Sequence, residues 1–189
     1  IYYILYRAYE HYPPGYKIEY DGEVVDLHGR RHFNKVAVSL PKGSSKTEIM
    51  ALVAVAELHP DSPVRFAGYD SSAPGGMAPG RSVSSPFIPL LAPTKDQLND
   101  LAYGAAQVIA SDIEDSDLFD VTNDRIMLNG ESESKIIPVA AAPKRLDGLK
   151  PTFQGIDEPH RLFTDRHRKS YDTMGNNLAK RAVDDPRTK

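Results

Sequence analysis

Three features of the chain predict an α/β fold with a mainly parallel central sheet flanked by helices. Short apolar runs (KVAVSL, FIPLLAP, IIPVAA) recur along it, helical runs separate them, and most connections are short. Its 189 residues suffice for one ordinary domain with a sizeable core. With 23 Lys+Arg against 26 Asp+Glu the net charge is −3, which excludes a uniformly basic nucleic-acid coat but leaves room for a local basic patch. Hydrophobic residues at 40% and charged residues at 26% exclude a disordered tail. No apolar run reaches the roughly 18–20 residues of a membrane span. The absence of Cys excludes disulfides, thiolate metal sites and a cysteine nucleophile, and agrees with a reducing cytosolic setting. The chain begins at Ile1 without a leader pattern and ends in AVDDPRTK without a capping signal. It therefore reads as a piece of a longer protein.

The aromatic-rich opening places Ile4, Leu5 and Ala8 at helical spacing and stops at the turn Pro13-Pro14-Gly15. IEYDGEVVDL reads as a hairpin about Asp21-Gly22. Lys35–Leu40 (KVAVSL) has the compact β-branched pattern of a buried strand. PKGSSK then leads into the helical run TEIMALVAVAEL, closed by His59-Pro60. Asp70 to Ser85 is rich in Pro, Gly and Ser and reads as a long loop. FIPLLAP predicts a second buried strand and TKDQLNDLAYGAAQVIAS a helix. RIMLNGESESKIIPVAAAP predicts a hairpin turning near Asn129-Gly130, its second arm in the core. PTFQGIDE predicts a fourth central strand, and the polar remainder a helix. No internal repeat is visible.

Chemistry concentrates at two places. Lys46-Thr47 lies between KVAVSL and the helical run that follows, the context of a phosphate-binding loop. Consecutive backbone N–H groups and a helix N-terminus make an anion site there, a Lys reaches the β- and γ-phosphates, and the next hydroxyl binds Mg²⁺. The regular spacing GxxxxGK[ST] fails at both glycines, which are Leu40 and Ser45 here, although Gly43, Ser44 and Ser45 still allow a tight loop. The alternative is a polar turn in which Thr47 caps the helix, with Glu48 in its first turn. The second place is Asp157-Glu158, at the end of the apolar PTFQGIDE run. An Asp at the C-terminal end of a parallel strand can hold Mg²⁺ opposite Thr47, and a neighbouring Glu can polarise an attacking water. The alternative is a helix-capping turn. Taken together the two places favour ATP hydrolysis, because intervening strand–helix units can bring both into one sheet.

The strings VSLPKGSSKTEIMALVA, RSVSSPFIPLLAPTKDQLNDLAYGAA and PKRLDGLKPTFQGIDEPHRL resemble the large terminase subunit of tailed bacteriophages over nearly the whole chain. Lys42 matches the basic residue that family carries in its deviant phosphate loop, and Thr94 with Gln97 match its T-x-x-Q segment. The resemblance implies an additional-strand P-loop NTPase (RecA-like) fold across residues 1–189, without the C-terminal nuclease domain. It implies ATP and Mg²⁺ as cofactors, with Lys42, Gly43, Ser44, Ser45, Lys46 and Thr47 binding phosphate. Thr47 and Asp157 would hold the metal and Glu158 would be the catalytic carboxylate. Ser45 stands where the family commonly has Gly. Implied partners are double-stranded DNA, a portal protein, a small terminase subunit and further copies in a pentameric ring, in the host cytoplasm. A ring neighbour would supply an arginine finger, for which Arg145 is the candidate ahead of Arg125 and Arg161. Tyr2, Tyr3 and Tyr6 read as core aromatics, with an adenine pocket as the alternative.

His160, Arg161, Arg166, His167 and Arg168 read as a solvated or DNA-facing helix rather than a metal site, since no partner stands at ligand spacing. Two further readings compete with the packaging motor. Asp157-Glu158-Pro159-His160 spells the box of a DExH-type helicase or translocase, and a non-hydrolysing interaction module could have kept the fold.

Overall fold

The computed structural model describes residues 12–33, 35–67, 80–92, 102–113, 117–140, 150–162 and 164–184. They fall into two compact units, one from the described parts of Ile1–Leu40 and Asp61–Ser82, the other from those of Pro41–Pro60 and Val83–Lys189.

In the first unit, β1 (Lys17–Tyr20) and β2 (Glu23–Asp26) form the expected antiparallel hairpin. Asp21 and Gly22 both take positive φ (52° and 79°), the two-residue turn whose twist matches that of the strands. Two changes from expectation follow. No strand forms across Lys35–Leu40, where Val36 and Val38 are exposed. A β-branched run becomes a strand only where a neighbour supplies ladder bonds, and none of the described strands pairs with it. The expected loop from Asp70 to Ser85 includes β4 (Gly80–Arg81), antiparallel to β3 (Arg65–Phe66). Residues 70–79 of that loop lie outside the described residues, as do Ile4, Leu5, Ala8, Tyr2, Tyr3 and Tyr6.

The second unit is built on a five-stranded sheet in the order β6-β7-β8-β5-β9. Its strands are β5 (Phe87–Ala92), β6 (Phe119–Val121), β7 (Ile126–Leu128), β8 (Lys135–Ala140) and β9 (Gly155–Ile156). The sheet is mixed rather than mainly parallel. β5 is parallel to β8 and β9, whereas β6–β7 and β7–β8 are antiparallel. Chain connectivity explains the difference: β7 and β8 are joined through Asn129–Ser134, far too short for a crossover, so the hairpin must return antiparallel. Proline placement fits this sheet. Pro138 pairs with Leu90 beyond the end of β7, and Pro89 pairs with Ile137 before the β9 pairs begin at Leu90. Each proline thus sits where its strand has a ladder neighbour on one side only.

Period-two alternation puts the sheet's two faces to different uses. Ile88, Leu90 and Ile136 face a core shared with α1 (Lys46–Leu58) and α2 (Ala102–Ser111), through Ala51, Ala54, Leu58 and Ala106. Leu91 and Val139 face the opposite way, onto Leu162 and onto Met174 of α3 (Asp165–Asp184). The result is a helix–sheet–helix sandwich. Tyr103 of α2 is fully buried and donates its hydroxyl to the Thr122 carbonyl at 2.8 Å, where the Gln107 amide also donates at 2.7 Å. Burial, with the charge of Asp124 adding to it, pushes the Tyr103 phenol well above its ordinary range, so it stays a donor.

The expected strand PTFQGIDE is ladder-paired only at Gly155–Ile156, yet it is firmly attached to β5. Thr152 N donates to Phe87 O at 2.9 Å, and Asp157 N donates to Leu91 O at 2.9 Å. Gly155 is the close-packed point: a Cβ there would lie 2.7 Å from Met50 Sδ of α1 and 2.8 Å from Leu90 Cδ2. Replacing Gly155 by Ala is expected to destabilise this unit by about 1–3 kcal/mol, the usual cost of overpacking. A urea midpoint equal to that of the parent chain, followed by circular dichroism, would refute the close-approach argument.

Candidate functional site

α1 begins at Lys46 after a loop that bends sharply twice. Gly43 takes φ +84° and Ser45 φ 51°, both left-handed. Glycine adopts that conformation without penalty, whereas Ser45 carries a steric cost at the position where the regular motif has Gly. Ser45 is the N-cap residue, and its side chain makes no capping hydrogen bond. Its carbonyl accepts from Ile49 N at 2.9 Å, closing the first turn. The alternative in which Thr47 serves as the cap is therefore not what forms: Thr47 lies inside the helix and points elsewhere.

It points to Asp157. Thr47 Oγ1 donates to Asp157 Oδ2 at 3.3 Å, long for an O–H···O bond and correspondingly weak. The two residues are 110 positions apart in the chain, and the juxtaposition expected from the motifs is present. β9 delivers Asp157 at the carboxyl end of a parallel strand, and the Gly155 contact with Met50 holds that end beside the first turn of α1. Asp157 Oδ1 also accepts from Glu158 N at 3.0 Å. Burial raises the Asp157 carboxyl above its usual range, opposed by the Thr47 and Glu158 hydrogen bonds and by the nearby Lys46 charge.

The other loop residues take distinct places. Lys46 folds back across its own loop and donates Nζ to the Pro41 carbonyl at 2.8 Å. Lys42 and Gly43 form an exposed turn and Ser44 is half-buried. Glu158 takes φ 45° and precedes a single 3₁₀ turn, Pro159–Arg161. Its carboxylate pairs with Arg161 at 3.0 Å. Arg161, expected either as a weaker finger candidate or on a solvated or DNA-facing helix, is thus joined to the Glu158 of its own chain. Arg125 pairs with Asp120 at 3.7 Å on the β6–β7 hairpin, at the opposite edge of the sheet from Asp157. Arg145, Thr94 and Gln97 lie outside the described residues. His160 is in the 3₁₀ turn and His167 in α3.

Two contributors escaped the sequence reading. Gly155 and the Pro41 carbonyl both shape the site, and only Gly155 had a signal, an isolated glycine inside an apolar strand pattern.

Among the described residues no group of three or more His, Asp or Glu side chains is arranged to hold a metal ion by itself. The Thr47–Asp157 pair does fit Mg²⁺, which takes one or two protein oxygens and completes its shell with water and substrate phosphates. Among the described residues no helix is long and apolar enough to cross a membrane. No family model, curated protein or solved structure matches the chain.

The raised carboxyl has a consequence for stability. A carboxyl that is harder to ionise when folded contributes stability that is complete below the ordinary value of 3.8 and lost as pH rises through the folded value. Above that window the folded chain carries a half-buried charge as a standing cost. Asp157→Asn is therefore expected to resist urea better than the parent at pH 7, the gain shrinking as pH falls towards 4. Equal midpoints at both pH values would show that Asp157 burial costs nothing.

Proposed function

We propose that the chain binds Mg-ATP where α1 begins and β9 ends, and hydrolyses it. The observation that carries this reading is the meeting of the Thr47 hydroxyl with the Asp157 carboxylate, at the mouth of a loop that also presents Lys46. The start of α1 favours an anion through its backbone dipoles. Lys46, bonded in this structure to the Pro41 carbonyl, would exchange that acceptor for the β- and γ-phosphate oxygens, a stronger charge-assisted contact. Thr47 and Asp157 would hold Mg²⁺, which supplies neutralisation of phosphate charge when bound. Glu158, next to Asp157 in the chain, would accept the proton of the attacking water.

The wider setting of this reading is the DNA-packaging motor of tailed bacteriophages. The strings around Lys42–Thr47, Phe87–Gln97 and Lys144–His160 support the ATPase part of a large terminase subunit. In that role hydrolysis would drive double-stranded DNA into a procapsid, with portal protein, small terminase subunit and a ring of copies as partners. Arg145 would then be supplied to a neighbouring copy.

Fluorescent mant-ATP binding and ATP turnover, each with and without double-stranded DNA, test the reading. Lys46→Ala should weaken mant-ATP by about 10- to 100-fold, the cost of losing a charged hydrogen-bonding partner. Glu158→Gln should keep that affinity while turnover drops by about 10²–10⁴, because an amide fills the space but accepts no proton. Undiminished binding by Lys46→Ala removes the phosphate assignment, and joint loss of binding and turnover in Glu158→Gln makes that residue structural. Turnover indifferent to double-stranded DNA counts against the packaging role.

A further inference from the structure

The Glu158 carboxylate is held by its own chain. Arg161 Nη1 lies 3.0 Å from Glu158 Oε2, with the side chains 48% and 32% exposed. The backbone sets up this contact. Pro159 opens the 3₁₀ turn, Arg161 N donates to Glu158 O at 2.9 Å, and Leu162 N donates to Pro159 O at 3.2 Å. Glu158 is the left-handed N-cap of that turn (φ 45°), three residues before Arg161, and the tight turn between them brings the two side chains together. Leu162, packed with Leu91, Val139 and Met174, anchors the end of the turn in the core. A carboxylate oxygen that accepts from a guanidinium is occupied, and it can take a proton from water only when that contact opens.

We propose, resting on the nucleotide reading above, that Arg161 restrains hydrolysis: it clamps Glu158 in the resting chain, and turnover is limited by how often that ion pair opens. The partial exposure of both side chains keeps the clamp weak, so it tunes the rate and does not lock it.

The test uses the 189-residue chain with ATP as substrate and mant-ATP as the binding probe. Arg161→Ala should raise kcat up to about five-fold, the ceiling for a part-exposed pair, with KM and mant-ATP affinity unchanged. Arg161→Lys, which keeps the charge, should return kcat towards the parent value. The Nε–Hε resonance of Arg161, read by NMR without nucleotide, should shift in Glu158→Gln. A kcat in Arg161→Ala that is unchanged, lower or undetectable overturns the proposal, as does an Arg161 resonance indifferent to Glu158→Gln. The nucleotide reading fails on a different result, mant-ATP binding undiminished by Lys46→Ala, and the NMR measurement reports the ion pair in either case.

Discussion

The contact between Gly155 and Met50 is the constraint on which the candidate site depends. β9 has two ladder residues, and the Asp157 N–H bond to the Leu91 carbonyl ties its carboxyl end to β5. What brings α1 against it is a glycine that lets Met50 of α1 and Leu90 of β5 approach closer than a Cβ would permit. The first turn of α1 and the end of β9 thereby become neighbours. Thr47, one turn before Met50 on α1, and Asp157, two residues beyond Gly155, meet as a result. The polar contact is weak and the apolar one tight, so packing positions the chemistry.

How much of this was legible in the sequence depended on whether the deciding contact was local. Asp21-Gly22 declares its turn because both positions need positive φ, and the hairpin forms as expected. α1 and β5 were legible for the same reason: helical runs and apolar strands carry their pattern within a dozen residues. The antiparallel β7–β8 hairpin through Asn129–Ser134 was legible too and forms as expected, whereas β6, which makes the sheet's other antiparallel pair, was not, because its three residues carry too little pattern to see. KVAVSL shows the converse failure. Its composition favours a strand, but ladder bonds come from a neighbour, and composition says nothing about neighbours.

The site was legible in its pairs and opaque in its tethers. Motif logic placed Thr47 opposite Asp157 without knowing the intervening topology, because a hydroxyl after Lys46 and a carboxylate at a strand end are complementary wherever the fold joins them. It could not foresee that Lys46 would lie on the Pro41 carbonyl or Glu158 on Arg161. Those are choices among nearby acceptors and donors, decided by loop geometry.

These tethers share one physical character. Lys46 is satisfied by a carbonyl and Glu158 by a guanidinium, both at exposed or part-exposed positions, while Asp157 is satisfied by a hydroxyl and a backbone N–H. At such positions water competes with each contact, so breaking one costs about 1 kcal/mol or less where charges pair on the surface. On the nucleotide reading proposed above, a phosphate group would offer the same Lys46 donor a full charge in place of a carbonyl dipole. Asp157 differs, for burial penalises its charge, and a cation brought beside it would relieve that cost instead of adding to it. On that nucleotide reading, the charged groups are held cheaply where they would have to let go, and expensively where an incoming cation would do the most good.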